Sequence, residues 1–107
     1  MTDHFPDLLS VPVYVGDFVA YGTRSGNVGA TIVARVEKIE WQTIERYDYT
    51  TRTRLRIRVP RVGVRPFAGT RYSGPTGTRI SYPTVDNMIR IEPPTRYLAD
   101  HPLPALP

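Results

Sequence analysis

Arginine stands at every second position of one segment, Arg52, Arg54, Arg56 and Arg58, within Thr51-Arg-Thr-Arg-Leu-Arg-Ile-Arg-Val59. Alternate residues of a β-strand face opposite sides, so the four guanidinium groups share one face at intervals of about 6.6–6.8 Å. That interval is of the order of the spacing of phosphates along a nucleic-acid strand, so the face could serve as an electrostatic track. Thr53, Leu55, Ile57 and Val59 then face a core.

A plainer role competes with the track. A hairpin turning about Asp48 sets Trp41 against Leu55, Ile39 against Ile57 and Thr43 against Thr53 on the core face. On the outer face Glu40 meets Arg56, Gln42 meets Arg54 and Lys38 meets Arg58. Cross-strand pairs of this kind contribute about 0.2–1 kcal/mol each and are ordinary features of sheets. This reading is favoured, and it reduces the track to a partly neutralised basic patch. Tyr47 and Tyr49 flank the expected turn and are the aromatics most open to solvent. The candidate binding residues are therefore Arg52, Arg54, Arg56, Arg58, Tyr47 and Tyr49, with Arg52 and Arg54 at the binding end.

Other chemistry finds little footing. His4 and His101 fall near opposite ends of the chain, and cysteine is absent. No paired carboxylates, phosphate-binding glycine loop or metal-ligand spacing is present in the sequence. Gly22 to Gly29 lacks the following helix that phosphate cradling needs. No catalytic, cofactor or metal site is expected, and no enzyme.

The bulk properties agree with a small binding protein. The chain has 107 residues, one domain's worth. Its net charge is +4 and its pI about 9.8, which favours acidic partners weakly. Lys38 is the one lysine among 14 basic residues, a bias that a GC-rich genome explains without any site. Lack of cysteine suits a reducing interior, the cytoplasm. Met1 to Ser10 is acidic and broken by Pro6, unlike a signal peptide. No apolar run approaches the roughly 20 residues of a spanning helix, so no membrane partner is expected.

The elements that must position the arginines are strands. Eleven prolines and eight glycines leave few windows for a helix, and apolar residues alternate in short β-branched and aromatic runs. Val11–Tyr14 and Phe18–Gly22 read as strands around a bend at Gly16-Asp17, where Asp17 can bond local amides. Thr23–Asn27 reads as a hairpin loop, followed by a strand from Ala30 to Trp41 or on to Glu45. Thr51–Val59 is the next strand, ended by Pro60. Residues 61–78 read as irregular, Thr78–Tyr82 as a short strand and Asn87–Glu92 as the last. The expectation is an all-β chain: a small barrel of about five strands over 11–92, an N-terminal extension over 1–10, a long irregular loop over 61–78, and a loose Pro-rich tail over 93–107. One helical turn around Tyr97 fits within that tail.

Val15-Gly16-Asp17-Phe18-Val19-Ala20-Tyr21-Gly22, followed by Ala30 to Ile39, resembles the opening of SH3-like barrels of the KOW and Tudor-like kind. There a Val-Gly-Asp-hydrophobic-Val segment precedes a turn and a strand ending in Val-x-x-Ile. The chain also resembles small actinobacterial phage proteins of unknown function, through Gly16, Asp17, Val19, Tyr21, Thr23, Arg24 and Gly26, then Leu55–Val59 and Asn87–Glu92. The likeness covers roughly positions 13–92, and the long Arg61–Tyr82 segment departs from a minimal barrel. It implies an SH3-like fold and a phage origin, hence the cytoplasm of a bacterial host, and no particular activity. The resulting expectation is a non-enzymatic protein-binding module acting on a host or phage protein, without a cofactor. The alternative is a nucleic-acid-binding accessory protein that uses the arginine-striped strand.

Overall fold

The computed structural model describes residues 3–25, 28–69 and 79–106. Among these residues, six strands and one short helix follow in order: β1 (His4–Pro6), β2 (Pro12–Tyr14), β3 (Phe18–Ser25), β4 (Val28–Asp48), β5 (Thr53–Gly69), β6 (Ile89–Ile91) and α1 (Thr95–Asp100). The chain is all-β apart from α1. β1 and β2 form a small antiparallel pair, and the main sheet runs β5-β4-β3-β6, every neighbour antiparallel.

The main sheet curls into a half-barrel. Register shifts in the β4–β5 ladder at Val33/Ala34 and Val36/Lys38 supply bends of the kind that curl a sheet. Inside the curl lie Val19 and Tyr21 of β3, Ile32, Ala34 and Val36 of β4, and Val62 and Val64 of β5. Their spacing of two is the strand period, with one face turned inward. Phe5, Val13 and Met88 close the core from β1, β2 and the loop before β6. Burying a side chain of this size contributes about 1.5–3 kcal/mol.

The segment expected to be an N-terminal extension therefore belongs to the domain, since Phe5 is fully buried. Asp7 fastens it. Its Oδ1 accepts from the backbone N–H of Leu9 (2.8 Å) and Val11 (2.9 Å), and its Oδ2 from that of Arg90 in β6 (2.8 Å). Burial pushes the Asp7 carboxyl up, but the three N–H donors and the nearby Arg90 charge outweigh burial and hold it below the usual range.

Three expectations about the second half need correction. Pro60 does not end the strand: β5 runs to Gly69, with Pro60 paired to Trp41 and Pro66 to Ala34. The outer strand of a sheet tolerates proline because one side needs no ladder donors. The irregular loop thus loses residues 61–69, while 70–78 lie outside the described residues. Of the short strand expected over Thr78–Tyr82, Thr78 is also outside them, and Ser81 makes an isolated bridge to Val64. The tail is not loose. Tyr97 of α1 donates to the Phe67 carbonyl at 3.2 Å, and Arg35 donates to the Pro104 carbonyl at 2.6 Å. Phe18, Phe67 and Tyr97 pack in a chain of rings, each with its centroid 5.8 Å from the next. The helical turn expected around Tyr97 is α1. The bend is as expected too: Gly16 has φ +97°, and Asp17 accepts from the Tyr14 N–H at 2.9 Å.

Candidate binding surface on a projecting β-arm

β3 flanks β4 only from Val28 to Arg35, whereas β5 follows it to Asp48. Beyond the barrel rim, β4 and β5 continue as a two-stranded ribbon. Residues 82–86 lie beside its base, near Gln42, Ile44, Val59 and Pro60. Past them the ribbon stands alone. The radius of gyration, 15.4 Å, exceeds the roughly 13 Å of a compact chain of this length. The ribbon is an arm.

Its register differs from the expected one by five residues. Trp41 faces Pro60, Thr43 faces Arg58, Ile44 faces Ile57, Glu45 faces Arg56 and Tyr47 faces Arg54. An odd shift turns each pairing over to the other face. The cause is the turn. Strands pair out to Asp48↔Thr53, so four residues, 49–52, make the loop. Asp48 Oδ1 accepts from the Thr50 N–H at 2.9 Å, and Arg52 takes the left-handed conformation with φ +54°. Arg52 accordingly leaves the strand and sits in the turn, apart from the other three.

The two faces of the arm now differ in kind. Arg54, Arg56 and Arg58 share theirs with Tyr47, Glu45, Thr43 and Trp41. Glu40 and Gln42, the expected counterparts, lie on the opposite face, where Glu40 pairs with Lys38 (2.8 Å) and Arg61 (3.6 Å). Glu45 is the carboxylate that meets the arginine face among the described residues, and it does so at long range, 3.9 Å from Arg54 and 3.7 Å from Arg56. The Arg58 guanidinium lies 5.9 Å from the centroid of the Trp41 ring. At the tip Tyr47 and Tyr49 meet edge to face, centroids 4.7 Å apart. Tyr49 is 85% exposed and Tyr47 44%. Glu45, Arg46, Tyr47, Tyr49 and Arg54 outline one shallow, open cleft there.

The opposite face carries Ile44, Leu55, Ile57 and Val59, with Gln42 and Arg46. The expected core beneath Thr53, Leu55, Ile57 and Val59 does not exist: the register runs unbroken from Ile39↔Val62 to the tip, so the core-facing Val62 shares its face with Pro60 and the arginines, and the aliphatic set lies on the other side. Leu55 is 43% exposed. Ile44, Ile57 and Val59 are half-buried by their own cross-strand neighbours and the 82–86 loop.

A second charged cluster sits at the root of the same hairpin. Glu37 is buried and accepts from Arg35 Nη2 (2.7 Å), Arg65 Nε (2.5 Å) and Arg65 Nη2 (3.0 Å). Burial pushes its carboxyl up, yet the two guanidinium groups prevail and hold it below the usual range. Arg65 is correspondingly raised by its bond to Glu37. Because Arg35 also holds the Pro104 carbonyl, this cluster is a clasp for the tail. Sequence reasoning missed it, since Arg35-x-Glu37 looks like any exposed pair on a strand. Glu45 and Trp41 were missed as members of the arginine face because membership depends on register.

Among the described residues, no three His, Asp or Glu side chains gather as metal ligands. His4 lies in β1 and His101 stacks on Tyr97 at the end of α1. No helix of the described residues is long and apolar enough to cross a membrane. A curled β-sheet with a projecting ribbon defines the class of this protein. No family model, curated protein or solved structure matches the chain.

Proposed function

We propose that the chain is a non-enzymatic binding module, a small SH3-like barrel of phage origin that meets a host or phage protein with its arm in the bacterial cytoplasm. The observation that carries this reading is the aliphatic stripe of Ile44, Leu55, Ile57 and Val59 on a ribbon with no core beneath it. A two-stranded ribbon is marginal by itself in water, and exposed apolar patches mark sites of association. A partner surface laid along the stripe completes what the chain leaves open. Affinity capture from host lysate treated with nuclease tests this. A salt-stable protein partner is expected, and Leu55→Glu is expected to release it without lowering the thermal midpoint. Capture of nothing, or of the same proteins by Leu55→Glu, overturns the reading.

The arginine face favours a second reading, a nucleic-acid-binding accessory protein. Three arginines face one distant carboxylate there, so the neutralisation expected from Glu40 is missing. Association that weakens steeply with added salt is the expected signature.

A further inference from the structure

We propose that the arginine face of the arm is a site for single-stranded nucleic acid, held by backbone charge and by stacking of unpaired bases. The inference rests on the second reading above and names the form of nucleic acid.

Charge supplies the first half of the argument. Arg54, Arg56 and Arg58 project from one strand at intervals of about 6.6–6.8 Å, close to two axial phosphate steps of about 3.4 Å. Arg54 and Arg56 are largely in water, and neither comes closer than 3.7 Å to Glu45. These guanidinium groups are free to take phosphate oxygens in the fork geometry that suits arginine. Arg52 adds a fourth positive charge at the tip, held in a left-handed conformation that glycine adopts more easily.

The aromatic pair supplies the second half. An edge-to-face contact between Tyr47 and Tyr49 leaves ring faces open, and Tyr49 is the most exposed of the exposed large apolar side chains. A base can stack there only if it is not already stacked within a duplex. Arginines that track a backbone beside aromatics that receive bases are the combination used by single-strand binders. The span from Arg58 to Tyr49, roughly 20 Å at about 3.3 Å per strand residue, suits about six nucleotides at about 3.4 Å each, a small site for this mode of binding. A duplex would use the charges and leave the tyrosines idle.

The chain provides its own reporter. Trp41 is the one tryptophan, and it lies on the arginine face near Arg58. Its emission should change when a strand occupies that face.

The test uses the full chain at ~50 mM salt with fluorescein-labelled dT12, the same length of duplex, and inorganic polyphosphate as competitor. Binding of dT12 at least tenfold tighter than duplex is expected, with a change in Trp41 emission. Tyr49→Ala should weaken dT12 binding five- to a hundredfold and leave duplex binding alone. Arg54→Gln with Arg56→Gln should flatten the slope of log affinity against log salt by about 1.4. Glu45→Gln should tighten binding, an outcome that no loss of folding can imitate. Equal binding of duplex and dT12, or indifference to Tyr49→Ala, overturns the single-strand inference while the nucleic-acid reading stands. Absence of all binding overturns both. Unchanged Trp41 emission on binding, or competition by polyphosphate equal to that of unlabelled dT12, overturns the site as drawn.

Discussion

At the root of the β4–β5 hairpin, Glu37 meets Arg35 and Arg65 at 2.5–3.0 Å, with its side chain 1% exposed. Toward the tip, Glu45 meets Arg54 and Arg56 at 3.7–3.9 Å, with its side chain 55% exposed. The same residue types thus face each other across the same two strands in two different physical situations. At the root, water is excluded, each charge needs its partner, and the geometry is short. At the tip, water screens the pairs, and exposed ion pairs contribute only about 0–1 kcal/mol. The root clasps the tail to the barrel. The tip holds its arginines so weakly that a partner could take them. Position relative to the barrel rim, and not residue type, separates pairs committed to the fold from pairs open to water.

The comparison can be broken most readily at the root. Glu37→Gln removes the charge while keeping the shape, and turns an amide N–H₂ toward two guanidinium groups. Unpairing buried charges in this way costs about 3–5 kcal/mol. Urea denaturation should show that loss, and the tail should become a substrate for limited proteolysis. A cost under about 1 kcal/mol would mean that the root is as tolerant as the tip.

Acid should weaken the root as well. Glu37 and Asp7 both have carboxyl groups held below the usual range. A group depressed in the folded state contributes stability above its unfolded pKa and loses it as pH falls through the folded value. Stability should therefore stay level from pH 7 down to about 5 and then decline steadily below about 4. Thermal midpoints across that range check this. In Asp7→Asn the decline should be shallower and the starting value lower, because one carboxylate no longer titrates and its bonds are weakened.

How much of this contrast was legible in the sequence follows from what alternation can and cannot say. The strict Arg-x-Arg-x pattern showed a strand with two unlike faces, and Arg54, Arg56 and Arg58 do share one. Alternation carries no information about which face meets a core, so the pattern sets Leu55 and Ile57 inward, whereas the core residue Val62 shares its face with Arg54, Arg56 and Arg58. Register was the second gap. It was set by Asp48 and a left-handed Arg52, and a turn chosen around Asp48 itself moved every partner by five residues. The Asp48-x-Thr50 side-chain turn was a readable signal. The Glu37 clasp was not readable, because it joins residues 28 positions apart and depends on a tail carbonyl. Prolines misled at Pro60 and Pro66: they mark an outer strand as readily as a strand's end.

The turn itself offers a smaller test. Arg52 has φ +54°, a conformation that costs a residue with a Cβ about 1–2 kcal/mol. Arg52→Gly relieves that cost but gains backbone freedom in the unfolded chain, so a net stabilisation of about 0.5–1 kcal/mol is expected. The register from Trp41↔Pro60 to Asp48↔Thr53 should survive, as cross-strand NOEs would report. A register slipped back toward Trp41↔Leu55 would show that Arg52 fixes the turn for reasons other than φ. It would also return Glu40 and Gln42 to the arginine face.

The smallest expected effect is the most telling about the tip. Arg54→Gln and Arg56→Gln each remove one end of a long, exposed pair with Glu45, so each should change stability by less than about 0.5 kcal/mol. Adding salt to 0.5 M should leave the wild-type unfolding midpoint almost unmoved by way of these pairs, since screened charges have little left to lose. The root pairs, shielded from ions, should be equally indifferent to salt but not to substitution. Substitution thus separates the two ends where salt does not. If either arginine proved to cost 2 kcal/mol or more, the tip would be part of the scaffold. Its guanidinium groups would then be committed within the chain, and the arm would have little charge to offer a phosphate backbone.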